Sequence, residues 1–135
     1  MNISDTLKAW SEAELNLIVK EFSSFDRNDR WIVRWYFFGS CDICSQGMEL
    51  SDNDFQYFYR ETLKHIGVPN EEIEESVGVW MLDKMSQDEL MIIERGALNF
   101  RKFKDSPDGV GGLKECFLKF SKTYKTEELT SKDGE

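Results

Sequence analysis

The sequence has no long apolar run, only one histidine and an odd number of cysteines, three among its 135 residues. A membrane-spanning helix needs about 20 consecutive apolar residues, so no segment qualifies as a membrane span. The N-terminal stretch MNISDTLKAWSEAELN also lacks the apolar core of a secretory signal peptide. Three cysteines do not form a disulfide framework and are typical of a reducing compartment. We therefore expect a cytoplasmic protein.

Basic residues are outnumbered by acidic ones. The chain has 26 Asp and Glu against 17 Lys and Arg, a formal net charge of −9. Such a charge repels the phosphates of nucleic acids and anionic membranes, and it attracts basic proteins. The interleaved Arg30, Trp31, Arg34, Trp35 and Tyr36 would suit stacking on unpaired bases, but the charge favours a structural role for them. The sequence predicts no direct nucleic-acid or membrane ligand.

Amphipathic segments with helix-start and helix-stop signals are the main feature that is present. They predict a mainly α, compact single-domain fold of about five to six helices over residues 1–124, followed by a polar, flexible tail at 125–135. The spacing of Ser11 and Glu14 resembles a capping box and predicts a first helix near 11–24. Further helices are predicted near 51–67, 69–81, 86–106 and 113–124. Their periodicity places Met81 and Leu90 on buried faces.

Residues 31–38 fit two kinds of secondary structure. Trp31, Val33, Trp35 and Phe37 alternate as in a β-strand, whereas a helix would place Trp31 and Trp35 on one face. The enrichment in aromatic and β-branched residues favours a short β element, with a helix as the alternative.

Cys41 and Cys44 form a CxxC motif directly after this segment. In thioredoxin-like proteins a strand leads into a CxxC motif at the start of a helix, and this position lowers the pKa of a cysteine thiol. The sequence after Cys44, however, predicts helices and not βαβ units. Zinc would need two further ligands, and only Cys116 and His65 remain. The sequence thus predicts semi-buried cysteines, no metal, no cofactor and no catalytic residue, with a thiol-dependent redox protein as the alternative.

Acidic residues cluster at three predicted helix starts, which are residues 52–54, 71–75 and 88–89. Carboxylates at a helix N-terminus interact favourably with the helix dipole, so capping and solubility account for each cluster separately. Together the clusters suit a basic partner.

The run MLDKMSQDELMIIERGALNFRKFK, residues 81–104, lies in a small, acidic, aromatic-rich chain. In this setting it resembles the immunity proteins of bacterial contact-dependent growth inhibition, particularly those that neutralise ribonuclease toxins. The resemblance implies a cytoplasmic protein without enzymatic activity that binds a basic toxin domain 1:1 and blocks its active site or a nearby surface. A small acidic adaptor or inhibitor of another basic protein is an alternative.

On this interpretation, carboxylates would occupy the basic cleft of the toxin as phosphate mimics and pair with its Lys and Arg. An exposed aromatic residue would anchor the complex, because interface energy concentrates in a few such residues. The predicted partner-binding residues are Asp52, Asp54, Tyr57, Glu71, Glu72, Glu74 and Glu75.

Overall fold

A long central helix, α2, organises the molecule. The computed structural model describes residues 3–124, where it contains six α-helices and no strand. The helices are α1 Ile3–Asn16, α2 Arg27–Met48, α3 Asp52–Ile66, α4 Asn70–Met81, α5 Gln87–Asp105 and α6 Gly112–Phe120, with a 3₁₀ turn at Phe22–Ser24. Helix α2 packs against all five others, most extensively against α5. The predicted mainly α fold is confirmed, and the predicted tail at 125–135 lies outside the described residues.

The β element predicted at 31–38 is wrong, because this segment is the middle of α2. A capping box starts the helix: Asp26 Oδ1 accepts from the Asp29 backbone N–H at 2.8 Å, and Asp29 Oδ2 accepts from the Asp26 N–H at 3.2 Å. All residues from 32 to 38 are buried. A helix surrounded by other helices is apolar on every side, so its aromatic residues do not keep to one helical face.

The first helix lies earlier than predicted. Helix α1 ends at Asn16, and Ser11 lies inside it, where its Oγ donates to the Lys8 carbonyl at 2.8 Å. Serine in a helix interior often bonds back to the preceding turn in this way. Glu14 is buried and accepts from the Tyr36 hydroxyl and from the Gly111 N–H at 2.6 Å. The S-x-x-E spacing therefore does not form a cap, because Ser11 bonds within α1 and Glu14 makes tertiary contacts.

Helices α2 and α5 cross at very short distance. A Cβ atom on Gly39 would lie 2.0 Å from the Ile93 carbonyl oxygen, and one on Gly96 would lie 1.9 Å from that of Tyr36. The crossing therefore requires glycine on both helices. It turns the face of α5 with Ile92, Gly96 and Phe100 inward, so that Leu90 is exposed, contrary to the prediction.

Helices α3 and α4 pack on α2 through a cluster of aromatic rings. Phe38 of α2 contacts Phe55 and Tyr59 of α3, and Trp80 of α4 packs on Phe55 with ring centroids 5.0 Å apart. Ser51 Oγ caps α3 by accepting from the Asp54 N–H, and Gly67 ends this helix, as predicted. The cluster fixes the N-terminus of α3 beside the C-terminus of α4. Within the described part of the chain, no helix is both long and apolar enough to cross a membrane.

Candidate functional site

The buried member of the predicted acidic set is Glu72. This residue is 3% exposed, and its carboxylate accepts two hydrogen bonds from Arg30, Nε to Oε1 at 2.8 Å and Nη2 to Oε2 at 2.9 Å. The hydrogen bond from Arg30 holds the pKa of Glu72 below its ordinary value. Arg34, also buried, donates to the backbone carbonyl of Glu72. Glu72 thus joins α4 to α2 and does not lie on a surface that a partner could reach.

The exposed glutamates of α4 are paired with arginines of the same chain. Glu74 accepts from Arg60 Nε at 2.7 Å and Arg60 Nη2 at 2.8 Å, and this hydrogen bonding lowers the pKa of Glu74. Glu75 pairs with Arg27, whose Nη1 also lies 4.0 Å from Glu71 Oε1. Most of the negative charge of this cluster is therefore compensated within the fold.

No local pattern in the sequence indicates which arginine pairs with which glutamate. Arg27 and Arg30 are more than 40 positions from the glutamates, in a helix that the sequence left ambiguous. The packing of α4 against α2 and α3 brings these charges together, because Arg27 and Arg30 lie on α2 and Arg60 lies on α3.

The predicted residues on α3 have a different environment. Asp52 and Asp54 are exposed in the first turn, and neither has a basic partner among residues 3–124. Tyr57 is 67% exposed and follows Asp54 by three positions, so the two side chains are neighbours on the helix surface. The prediction that these three residues are accessible is consistent with their positions.

Asp52 also lines a groove between the start of α3 and the end of α4. The space measures about 490 Å³ and is open to solvent. We call it the α3–α4 groove, and it is lined by Asp52, Asn53, Gln56, Trp80, Met81, Asp83 and Met85. Since no lysine or arginine is among its lining residues, its two carboxylates give it a negative charge.

Asp83 reaches the groove from the turn that ends α4. Its backbone is left-handed, with φ 54°, and its N–H donates to the Trp80 carbonyl at 3.0 Å. A residue other than glycine in this region is uncommon, although aspartate and asparagine tolerate it best. The turn thus places Asp83 in the lining of the same groove as Asp52 of α3.

Large apolar side chains lie exposed beside these carboxylates. Met81 is 65% exposed and Leu82 is 67% exposed. Met81 was predicted to face inward, but Trp80 makes the contact with Phe38 and Phe55, and the next residue is rotated by about 100° around the helix. The sequence did not predict Met81, Leu82 and Asp83 as surface candidates. The apolar run WML directly before an aspartate is the only signal that could have indicated them.

A second groove separates α1 from α3. It measures about 430 Å³, and Leu7 and Phe58 are among its apolar lining residues. Its charged groups are of both signs, since Lys64 lies 4.0 Å from Glu61. The only histidine of the sequence, His65, also lines this groove and lies 4.0 Å from Glu12, which does not line it. This mixture gives the second groove no clear charge preference.

The CxxC motif lies inside α2 and not at a helix start. Cys41 and Cys44 are fully buried, and burial raises the pKa of both thiols, that of Cys44 to about 12. A thiol with a raised pKa stays protonated and is a poor nucleophile. Cys116 is also buried with a raised pKa. Across residues 3–124, no three His, Cys, Asp or Glu side chains are grouped so as to hold a metal ion.

The α3–α4 groove therefore combines carboxylates, a half-buried tryptophan and thioethers. These groups suit the basic and apolar side chains of another protein. Comparisons with protein-family models, with curated proteins and with solved structures found no match to this chain.

Proposed function

We propose that this protein binds a basic partner protein through the α3–α4 groove together with Asp54 and Tyr57. The partner in this proposal is a toxin domain with a basic, phosphate-binding cleft, which the protein neutralises in the cytoplasm as an immunity protein. One observation carries the proposal: Asp52 and Asp83, which have no basic partner among residues 3–124, line one open groove with the exposed Met81.

Charge and apolar contact have separate roles in this mechanism. The net charge of −9 speeds the encounter with a basic protein over distances of about 10 Å at moderate salt. After the encounter, Tyr57, Met81 and Leu82 become desolvated against the partner and slow its release. Because the cleft of the toxin is then covered, its substrate is excluded without any chemical step by this protein.

The glutamates of α4 have a lesser role in binding than the sequence predicted. Glu72, Glu74 and Glu75 already accept hydrogen bonds from Arg30, Arg60 and Arg27. A cation of the partner would have to displace these arginines, which would cost the stability that their pairs provide. Of this cluster, Glu71 has the loosest pairing, at 4.0 Å from Arg27.

The first experiment identifies the partner. The tagged protein is purified from its own host at low salt, and copurifying proteins are identified by mass spectrometry. We expect a basic polypeptide at 1:1 stoichiometry whose activity the purified protein inhibits. A basic partner without toxic activity would favour the adaptor alternative, and an acidic partner would contradict the charge argument.

The second experiment locates the surface. The double variant Asp52→Asn/Asp83→Asn removes two charges from the groove. The control Asp105→Asn/Asp108→Asn removes two exposed charges, one from the last residue of α5 and one from the loop that follows it. We expect the groove variant to bind the identified partner about tenfold more weakly and with less salt dependence. Equal weakening by both variants would show that only the overall charge matters and would refute the proposed surface.

A further inference from the structure

We infer that the α3–α4 groove receives an arginine side chain of the partner protein. This inference rests on the proposed function and adds the identity of the contact residue. It follows from the juxtaposition of two carboxylates from separate elements, Asp52 and Asp83, with Trp80, Met81 and Met85 in one open groove.

The charges around the groove favour a cation. Asp52 and Asp83 have no basic partner in the described part of the chain. The nearest guanidinium on α3, that of Arg60, is held by both carboxylate oxygens of Glu74 and also donates to Gln56 Oε1 at 3.4 Å. Lys84 follows Asp83 in the chain and is exposed, but it does not line the groove.

The apolar lining distinguishes arginine from a metal ion or a small hydrated cation. Trp80 is half-buried, packs against Phe55 and Phe38, and also lines the groove. Met81 and Met85 complete the apolar lining and suit an aliphatic stem. A desolvated metal ion would gain nothing from these contacts.

Arginine fits this lining better than lysine does. The planar guanidinium has five N–H donors, so it can bond two carboxylates on different sides and still lie against an aromatic ring. The lysine ammonium is a compact and strongly hydrated charge, which makes desolvation against Trp80 less favourable. We therefore expect the groove to select arginine over lysine of equal charge.

Three short peptides test this selection on the full chain. They are acetyl-Leu-Arg-Leu-amide, its lysine counterpart and its citrulline counterpart, which keeps the shape of arginine without the charge. Binding is followed by amide chemical shifts in NMR. We expect the arginine peptide to shift residues 52–56 and 80–85 and to bind at least fivefold more tightly than the lysine peptide. The citrulline peptide should not bind.

Matched variants assign the binding to the groove. Asp52→Asn/Asp83→Asn should weaken the arginine peptide at least fivefold, whereas Asp105→Asn/Asp108→Asn should leave it unchanged. Asparagine accepts the left-handed backbone of Asp83, so the variant keeps the turn, and far-UV circular dichroism verifies its fold. Equal affinities for arginine and lysine, equal loss in both variants, or shifts spread over the acidic surface would each overturn the inference.

Failure of this inference is distinguishable from failure of the proposed function. If the arginine peptide does not bind but the groove variant still weakens the identified partner selectively, the groove binds the partner through other chemistry. If the peptide binds as expected but the partner is unaffected by the groove variant, the arginine site stands as a cation site and the proposed docking surface is wrong.

Discussion

Replacing Glu72 by glutamine tests whether the α4 glutamates hold the fold together or serve a partner. The change keeps the size of the side chain and removes its charge. Arg30 would then lose a bidentate partner at 2.8 and 2.9 Å, and Arg34 would lose a neighbouring negative charge. Removing one partner of a buried ion pair costs about 3–5 kcal/mol. Arg30 is 23% exposed and keeps its bond to the Phe25 carbonyl, so we expect about 2–3 kcal/mol here.

The assay is urea unfolding followed by far-UV circular dichroism. Glu71→Gln is the matched control, because the side chain of Glu71 is 84% exposed and only 4.0 Å from Arg27, and it should cost less than about 0.5 kcal/mol. A double-mutant cycle with Arg30→Met then measures the coupling of the pair. A loss below about 1 kcal/mol for Glu72→Gln, or one equal to that of the control, would refute our interpretation of this pair.

We also expect Glu72→Gln to change how the free energy of unfolding depends on pH in acid. The hydrogen bond from Arg30 lowers the pKa of Glu72 in the folded state below the ordinary value of 4.5. The stability from this pair is therefore fully present above about pH 4.5 and is lost as the pH falls through the folded-state pKa. We expect the free energy of unfolding of Glu72→Gln to fall less steeply than that of the native chain below pH 4.5. Parallel curves would contradict this assignment.

Three further predictions concern the core. Gly96→Ala places a methyl group 1.9 Å from the Tyr36 carbonyl oxygen and should cost about 3 kcal/mol or more in urea unfolding. The control Gly47→Ala has nothing within 4 Å of the added methyl group and should stabilise the fold by about 0.5–1 kcal/mol. Equal effects of the two variants would contradict the close crossing of α2 and α5. Burial raises the pKa of Glu14 above 4.5, so the free energy of unfolding should decline as the pH rises from about 4.5 to the folded-state pKa. The variant Glu14→Gln should lack this decline. The same pH profile for both proteins would contradict the role of Glu14. The three thiols should react with Ellman's reagent at pH 8 much more slowly in the native chain than in urea; rapid native labelling would revive the redox alternative.

Local signals were sufficient for several elements of the fold. Helix α3 begins after Ser51 and ends before Gly67, as predicted, and helix α5 begins with the predicted capping box of Ser86 and Glu89. These signals are reliable because a cap depends on backbone groups only three or four residues away. These signals failed at α1, where Ser11 and Glu14 have the spacing of a cap, but Ser11 bonds within the helix and Glu14 makes tertiary contacts. A local pattern cannot indicate which of these two uses a glutamate has.

For the candidate site, the sequence indicated acidic residues at helix starts but not which of them pair with arginines of the same chain. Asp52, Asp54 and Tyr57 were predicted from α3 alone and are exposed. Glu72 was predicted with them and is buried, because Arg30 reaches it from another helix.

The sequence by itself determined the mainly helical composition, the acidic charge and most helix boundaries, since these depend on residue type and on neighbours within one or two turns. Only the tertiary structure decided the helical state of residues 31–38, the pairing of the α4 glutamates and the convergence of Asp52 with Asp83. The physical reason is that burial on all sides removes the periodicity of a helix, and that ion pairs and grooves form between side chains far apart in the chain.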